Sequence, residues 1–400
     1  MNKAKECKAA VCAYLDAIKE DLGNVSQYIF ENPELSFEEY KAARLLAERL
    51  RKASFCVEMG VAGLPTAIRA VHPARNPGPK VAIIAEYDAL PEVGHACGHN
   101  LIAAAALGAS LALGQIKKDL PGTLVFFGTP GEESVGGKVT MVNAGLFDDI
   151  EAAMMFHPSH YTAVDIGSLA IKEIKIEFLG KASHSAGSPE RGINALDAVI
   201  QTFNAINALR QHIKDGARVH GIITDGGLRP NIVPEHAAAY FYVRAASESY
   251  CIELVQKLRQ CAEGAVLATG ATLSFEVVAS NKPMKPNRAL GEACARNLKK
   301  LGIPLTPPPP EAGMGSTDMG DLSQVAPAIE LEIQICGPDI PFHSRGFAKV
   351  AGSAHAQEVM LTAAKALAMT AIDVFTDREL VDRMRQEFQA DRGNHGSDTD

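Results

Sequence analysis

No tryptophan, no Cys-x-x-Cys pair, no dense run of lysine or arginine and no internal repeat occurs in this chain. The missing basic run, together with a net charge of −8, argues against nucleic acid as a partner. Eight cysteines in 400 residues, neither paired nor closely spaced, read as reduced thiols rather than a disulfide framework. The longest apolar run, Leu101 to Leu113, is too short to span a bilayer, so no membrane is expected. Met1-Asn2-Lys3-Ala4-Lys5-Glu6 leads into an amphipathic pattern broken by charges, unlike a signal peptide, and a cytoplasmic location is the expectation. Aromatic residues are only 6% of the chain, which leaves the substrate's side chains undecided.

What is present is a globular composition, 47% hydrophobic and 22% charged, on a chain too long for one ordinary core. Residues 5–30 have helical periodicity, and Ser36-Phe37-Glu38-Glu39 has the form of a capping box opening a helix to Lys52. Short strands are predicted at 55–59 and 65–71, then buried strands at Val81–Ala85, Thr123–Phe127 and Ala152–Phe156. Each of these three empties into a polar loop, the mark of an α/β domain with a mostly parallel sheet. From Ile171 the texture changes to charged and apolar residues in alternation. A β-α-β-β-α-β order follows, the ferredoxin-like plan. The expected organisation is a discontinuous metal-binding catalytic domain, 1–169 and 284–400, interrupted by an α+β lid or dimerisation domain at 170–283. Helices are predicted at 192–212, 247–267, 288–301, 347–370 and 376–390, a strand at 328–335, a Pro-rich turn at 307–310 and a frayed tail from Asp391.

The chemistry gathers in the loop after the central strand. Glu86, Asp88, His95, Cys97 and His99 fall within about fifteen residues, where an open α/β sheet builds its site. Gly131 to Lys138 superficially suggests a phosphate loop, but Gly137 stands where the motif needs lysine. Adjacent Glu132 and Glu133 make better sense as one general base and one metal ligand, since successive residues diverge in direction. His157 ends an apolar strand, and His343 follows another. A lone histidine is more often a core or surface residue; ligand-type side chains at the mouths of successive strands are a different proposition. Carboxylate, imidazole and thiol together suit Zn²⁺, with Mn²⁺, Co²⁺ and Ni²⁺ as the other candidates. They exceed the needs of one tetrahedral ion, which suggests two metals sharing a bridging group.

Glu86-Tyr87-Asp88-Ala89-Leu90-Pro91, His95-Ala96-Cys97-Gly98-His99-Asn100, Gly131-Glu132-Glu133, Phe156-His157 and Gly180-Lys181-Ala182-Ser183-His184-Ser185 resemble the peptidase M20 family over nearly the whole chain. The nearest match is its amidohydrolase branch, and Asn100 favours the aminobenzoyl-glutamate and dipeptidase-like side of that branch. The resemblance implies that Cys97, His99, Glu133, His157 and His343 hold two divalent ions, Zn²⁺ or Mn²⁺, with Cys97 the bridge. It implies Glu132 as general base, Asp88 as the residue orienting a histidine ligand, and His184 as a stabiliser of the tetrahedral intermediate in the partner subunit of a homodimer. Asn231, Arg244, Ser316 and Thr317 match substrate-binding positions. Glu86 departs from the pattern, since many members carry a histidine ligand there. The implied reaction is hydrolysis of the amide bond of an N-acyl amino acid, an aminobenzoyl-glutamate-like conjugate or a dipeptide. A cysteine hydrolase using Cys97 and His99, and a catalytically silent binding protein, are the competing readings.

Overall fold

The computed structural model describes residues 2–72, 76–134, 136–309, 312 and 314–393. Val135, Pro310 and the tail at 394–400 lie outside the described residues. Among the described residues ten strands are defined: β1 (Cys56–Met59), β2 (Ile68–His72), β3 (Lys80–Ala85), β4 (Thr123–Gly128), β5 (Ala152–Ser159), β6 (Ala170–Leu179), β7 (Arg218–Asp225), β8 (His236–Ala245), β9 (Thr272–Asn281) and β10 (Ala328–Gln334). The chain divides into two compact units. One comprises Met1–Gly167, Met284–Gly313 and Asp318–Asp400; the other comprises Ser168–Pro283 with Met314–Thr317. The short segment Met314–Thr317 therefore packs with the second unit, although it lies in the stretch of sequence expected to belong to the first.

The first unit is built on a six-stranded sheet of order β1-β2-β4-β3-β5-β10. β4, β3, β5 and β10 run parallel, and β2 and β1 add an antiparallel edge. β3 shows why a continuous apolar run makes a central strand. Val81, Ile83 and Ala85 enter one core while Ala82 and Ile84 enter the other, so both faces are buried. The helix His99–Ile116 is apolar all round because the sheet and neighbouring helices cover it on every side. It is longer than the run seen in the sequence. By length and composition it and the helix Ala354–Thr376 could each cross a membrane, but both are mostly buried in this core.

Three local expectations are corrected. The helix over 5–30 is broken at Ile18 into Asn2–Ala17 and Lys19–Glu31. The span 347–370 is two helices, Arg345–Ala351 and Ala354–Thr376, the second capped by Ser353. The capping box does not form: the helix begins at Tyr40, and Ser36 donates instead to Asp88 Oδ2 at 2.9 Å.

The second unit is a four-stranded antiparallel sheet of order β7-β8-β6-β9. Two helices, Ala195–Leu209 and Glu248–Thr269, pack on it. Ile174, Ile176 and Phe178 point into the core that these helices close, while Lys175, Glu177 and Leu179 alternate outward.

Candidate metal centre

β3, β4, β5 and β10 are parallel, so their carboxyl ends share one edge of the sheet. β3 leads into Glu86–Asp88, β4 into the loop of Glu132 and Glu133, and β5 carries His157; the loop after β10 brings His343. Gly98 makes the approach of two of these segments feasible. It adopts φ +83°, and a Cβ there would stand 2.5 Å from Pro158 Cγ. Only glycine combines that backbone with that contact, which lets the Cys97–His99 turn lie against His157-Pro158.

Five of the residues singled out in the sequence come together. Cys97, His99 and His157 have ligand atoms within 4.8 Å of one another, and so do Cys97, Glu133 and His343. Cys97 belongs to both sets. His99 Nδ1–H donates to Asp88 Oδ1 at 2.9 Å, which leaves the Nε2 lone pair turned to the cluster. His157 is held the same way: Nδ1–H donates to the Pro158 carbonyl at 2.8 Å, and Nε2 faces Cys97 Sγ at 3.4 Å. His343 Nε2 lies 3.6 Å from Glu133 Oε2. Its backbone sits at φ +59°, an uncommon conformation for a non-glycine residue, and its N–H donates to the Ala96 carbonyl at 3.1 Å.

Three buried atoms facing this cluster, Glu86 Oε2, His99 Nε2 and Glu133 Oε1, have no hydrogen-bond partner among the described residues. A buried polar atom left unsatisfied costs roughly 1–3 kcal/mol. Sulfur, nitrogen and oxygen donors together are a set for a divalent transition ion, and such an ion would satisfy these lone pairs. The residues fit two ions with Cys97 common to both.

Electrostatics follow from burial and crowding. Burial raises the Asp88 carboxyl, but the His99 ring and hydrogen bonds from His99, the Glu133 N–H and Ser36 overcome it and hold the group at about 2. Burial lowers His157 to about 4, so its ring is neutral. Burial, then Glu86, Glu133 and Asp318, push Glu132 well above the usual carboxyl range. Burial and Glu133 push the Cys97 thiol well up, the opposite of what a cysteine nucleophile needs.

Several neighbours were not read from the sequence. Lys138 is fully buried and pairs with Glu86 Oε1 at 2.5 Å and Asp318 Oδ1 at 2.6 Å. Glu39, also buried, accepts from Thr66 Oγ1 at 2.7 Å and from the Gly131 N–H at 2.9 Å, bracing the loop of Glu132. In the sequence Glu39 stood out only as the glutamate of a capping box and Lys138 only as the end of an incomplete phosphate loop, and neither pattern signals these contacts. In the second unit, the His184 ring accepts from the Gly187 N–H at 3.0 Å. The Ser185 N–H donates to the Asn231 carbonyl at 3.1 Å, which brings the His184 and Asn231 segments together. Arg244 Nη1 donates to Ser316 Oγ at 2.9 Å, and Thr317 follows in the same short segment.

Residues 82–371 match the model of peptidase family M20/M25/M40. The chain is 40% identical over 391 residues to the Xaa-Arg dipeptidase of Mus musculus, covering 94% of this chain and 90% of that one. It is 29% identical to one of the subunits of the p-aminobenzoyl-glutamate hydrolase of Escherichia coli K12, covering 94% and 93%. The fold also matches a solved dinuclear metal binding peptidase of the M20 family from Bacillus subtilis, with a TM-score of 0.67, 22% identity and coverage of 90% and 99%. The chain therefore belongs to peptidase family M20, a family of hydrolases that act on amide bonds.

Proposed function

We propose that this protein is a metal-dependent dipeptidase or amidohydrolase that releases a C-terminal amino acid from a small amide. The observation that carries the reading is the pair of ligand sets sharing Cys97, with Glu132 Oε2 only 3.9 Å from His99 Nε2. Cys97, His99 and His157 would hold one ion, and Cys97, Glu133 and His343 would hold the other; Zn²⁺ and Mn²⁺ are the candidates. When bound, two such ions polarise a carbonyl and lower the pKa of a water from about 15.7 toward 7. Glu132 takes a proton from the attacking water and returns it to the departing nitrogen as the C–N bond breaks, leaving a carboxylate and an amine. Asp88 keeps His99 in the tautomer and orientation that ligation needs.

The substrate is a small N-acyl amino acid or dipeptide. Likeness to the Xaa-Arg dipeptidase favours dipeptides with a basic C-terminal residue. On this reading we assign Asn231, Arg244, Ser316 and Thr317 to substrate binding and His184 to the oxyanion, in a cytoplasmic homodimer formed through the second unit. Arg244 suits a carboxylate because its guanidinium offers a planar pair of donors.

The test measures metal content and turnover together, on wild type and Glu132→Gln. The substrates are dipeptides ending in Arg, Lys or Glu, aminobenzoyl-glutamate and N-acetyl amino acids. The expected result is about two ions per chain in both proteins and a loss of about 10²–10⁴-fold in kcat in the variant. A wild-type protein that takes up no metal would overturn the reading.

A further inference from the structure

Lys138 is a buried cation beside the proposed base. Its ammonium reaches Glu86 Oε1 at 2.5 Å and Asp318 Oδ1 at 2.6 Å, and its backbone N–H donates to Asp318 Oδ2 at 2.9 Å. Both oxygens of Asp318 are therefore committed to one residue. Glu86, Asp318 and Glu132 have carboxylate oxygens within 4.8 Å of one another. Three like charges resist that packing unless a cation joins them.

The position of Lys138 in the chain matters as much as its charge. It lies in the first turn of the helix Gly137–Asn143, directly after the loop that carries Glu132 and Glu133. That loop is drawn tight at its base. The Gly136 N–H donates to the Gly131 carbonyl at 3.1 Å, and a Cβ on Gly137 would stand 1.9 Å from the Pro130 carbonyl oxygen. Lys138 docks the end of this ring onto Asp318, while Glu86 ties it to the end of β3.

We propose that Lys138 is a positioning residue for the reaction. By clamping Glu86 and Asp318 it holds the Glu132 carboxylate in the attitude from which it takes and returns the proton. The inference rests on the reading of Glu132 as the base. A lysine that served only as a structural ion pair would change stability and leave turnover per folded, metal-loaded enzyme unchanged. A positioning lysine acts on kcat.

The test compares Lys138→Met, Lys138→Arg, Asp318→Asn and Glu132→Gln for kcat, KM, ions per chain and thermal unfolding. Lys138→Met is expected to lower kcat by about 100-fold, the scale of a misplacement near 1 Å, with KM within about threefold and wild-type metal content. Lys138→Arg, which restores the charge, recovers about tenfold of that loss, and Asp318→Asn, which keeps the Lys138–Glu86 pair, loses about tenfold. If Lys138→Met does not fold, Lys138→Arg and Asp318→Asn, each measured against wild type, decide. Wild-type kcat in Lys138→Met or Asp318→Asn, beside an inactive Glu132→Gln, overturns the positioning role alone. Turnover that survives in Glu132→Gln overturns the base reading, and the positioning role with it. Metal and kcat lost in parallel in Lys138→Met and Asp318→Asn would make Lys138 structural and overturn the inference.

Discussion

Asp88 and His99 are joined by a 2.9 Å hydrogen bond that decides which nitrogen of the imidazole faces the ligand cluster. The same carboxylate accepts from Ser36 Oγ and from the Glu133 N–H, so one buried group orients two ligand segments and an N-terminal loop. Asp88→Asn keeps the shape and removes the charge. It is expected to weaken metal binding 10–100-fold, read by competition with a chelator. Unchanged affinity would mean that Asp88 serves the fold and not the metal.

Cys97 is buried and its thiol is pushed well up, whereas Cys56 is exposed. Iodoacetamide on the metal-loaded protein should label Cys56 and spare Cys97, with turnover intact. Chelation should open Cys97 to the reagent. Labelling of Cys97 in loaded enzyme, matched one-to-one with lost activity, would revive the cysteine-hydrolase reading.

Glu39 gives stability a pH slope of known sign. Burial raises its carboxyl to about 7 from 4.5 in spite of the Thr66 hydrogen bond. The folded chain therefore keeps a proton that the unfolded chain has released, and this group makes stability fall as pH rises from about 4.5 to 7. The most it can contribute to that fall is roughly 3 kcal/mol. Glu39→Gln, which cannot ionise, should flatten the decline in urea-unfolding stability between pH 5 and 8. Equal slopes in the two proteins would count against the buried, protonated Glu39.

Gly98→Ala places a Cβ at φ +83° and 2.5 Å from the Pro158 ring. The strain and clash are expected to cost about 2 kcal/mol or more. Because the contact is with the residue after His157, metal content should fall as well as the unfolding temperature. A fully loaded, equally stable variant would show that the Cys97–His99 turn can relax away from β5.

The sequence by itself determined the strands and where the chemistry falls along the chain. An apolar run as short as Val81–Ala85 suits a strand buried on both faces, and the alternation at 171–178 suits a strand with one face covered, whereas the longer apolar run Leu101–Leu113 forms a helix. Polar loops rich in ligand-type side chains after such strands mark a sheet edge, and Cys97, His99, the Glu132-Glu133 pair, His157 and His343 stood out as candidates in this way, while the family resemblance alone made Glu133 the ligand and Glu132 the base. Tertiary structure alone decided what each charge touches. Ser36 had the spacing of a helix cap and became a hydrogen-bond donor to Asp88, 52 residues away. Lys138 read as a polar residue near a glycine-rich loop and became a fully buried ion pair with Asp318, 180 residues away. Periodicity reports which face of an element meets the core. It carries no information on which distant carboxylate a lysine meets there, because that depends on how strands far apart in the chain are ordered in the sheet and on desolvation once they pack.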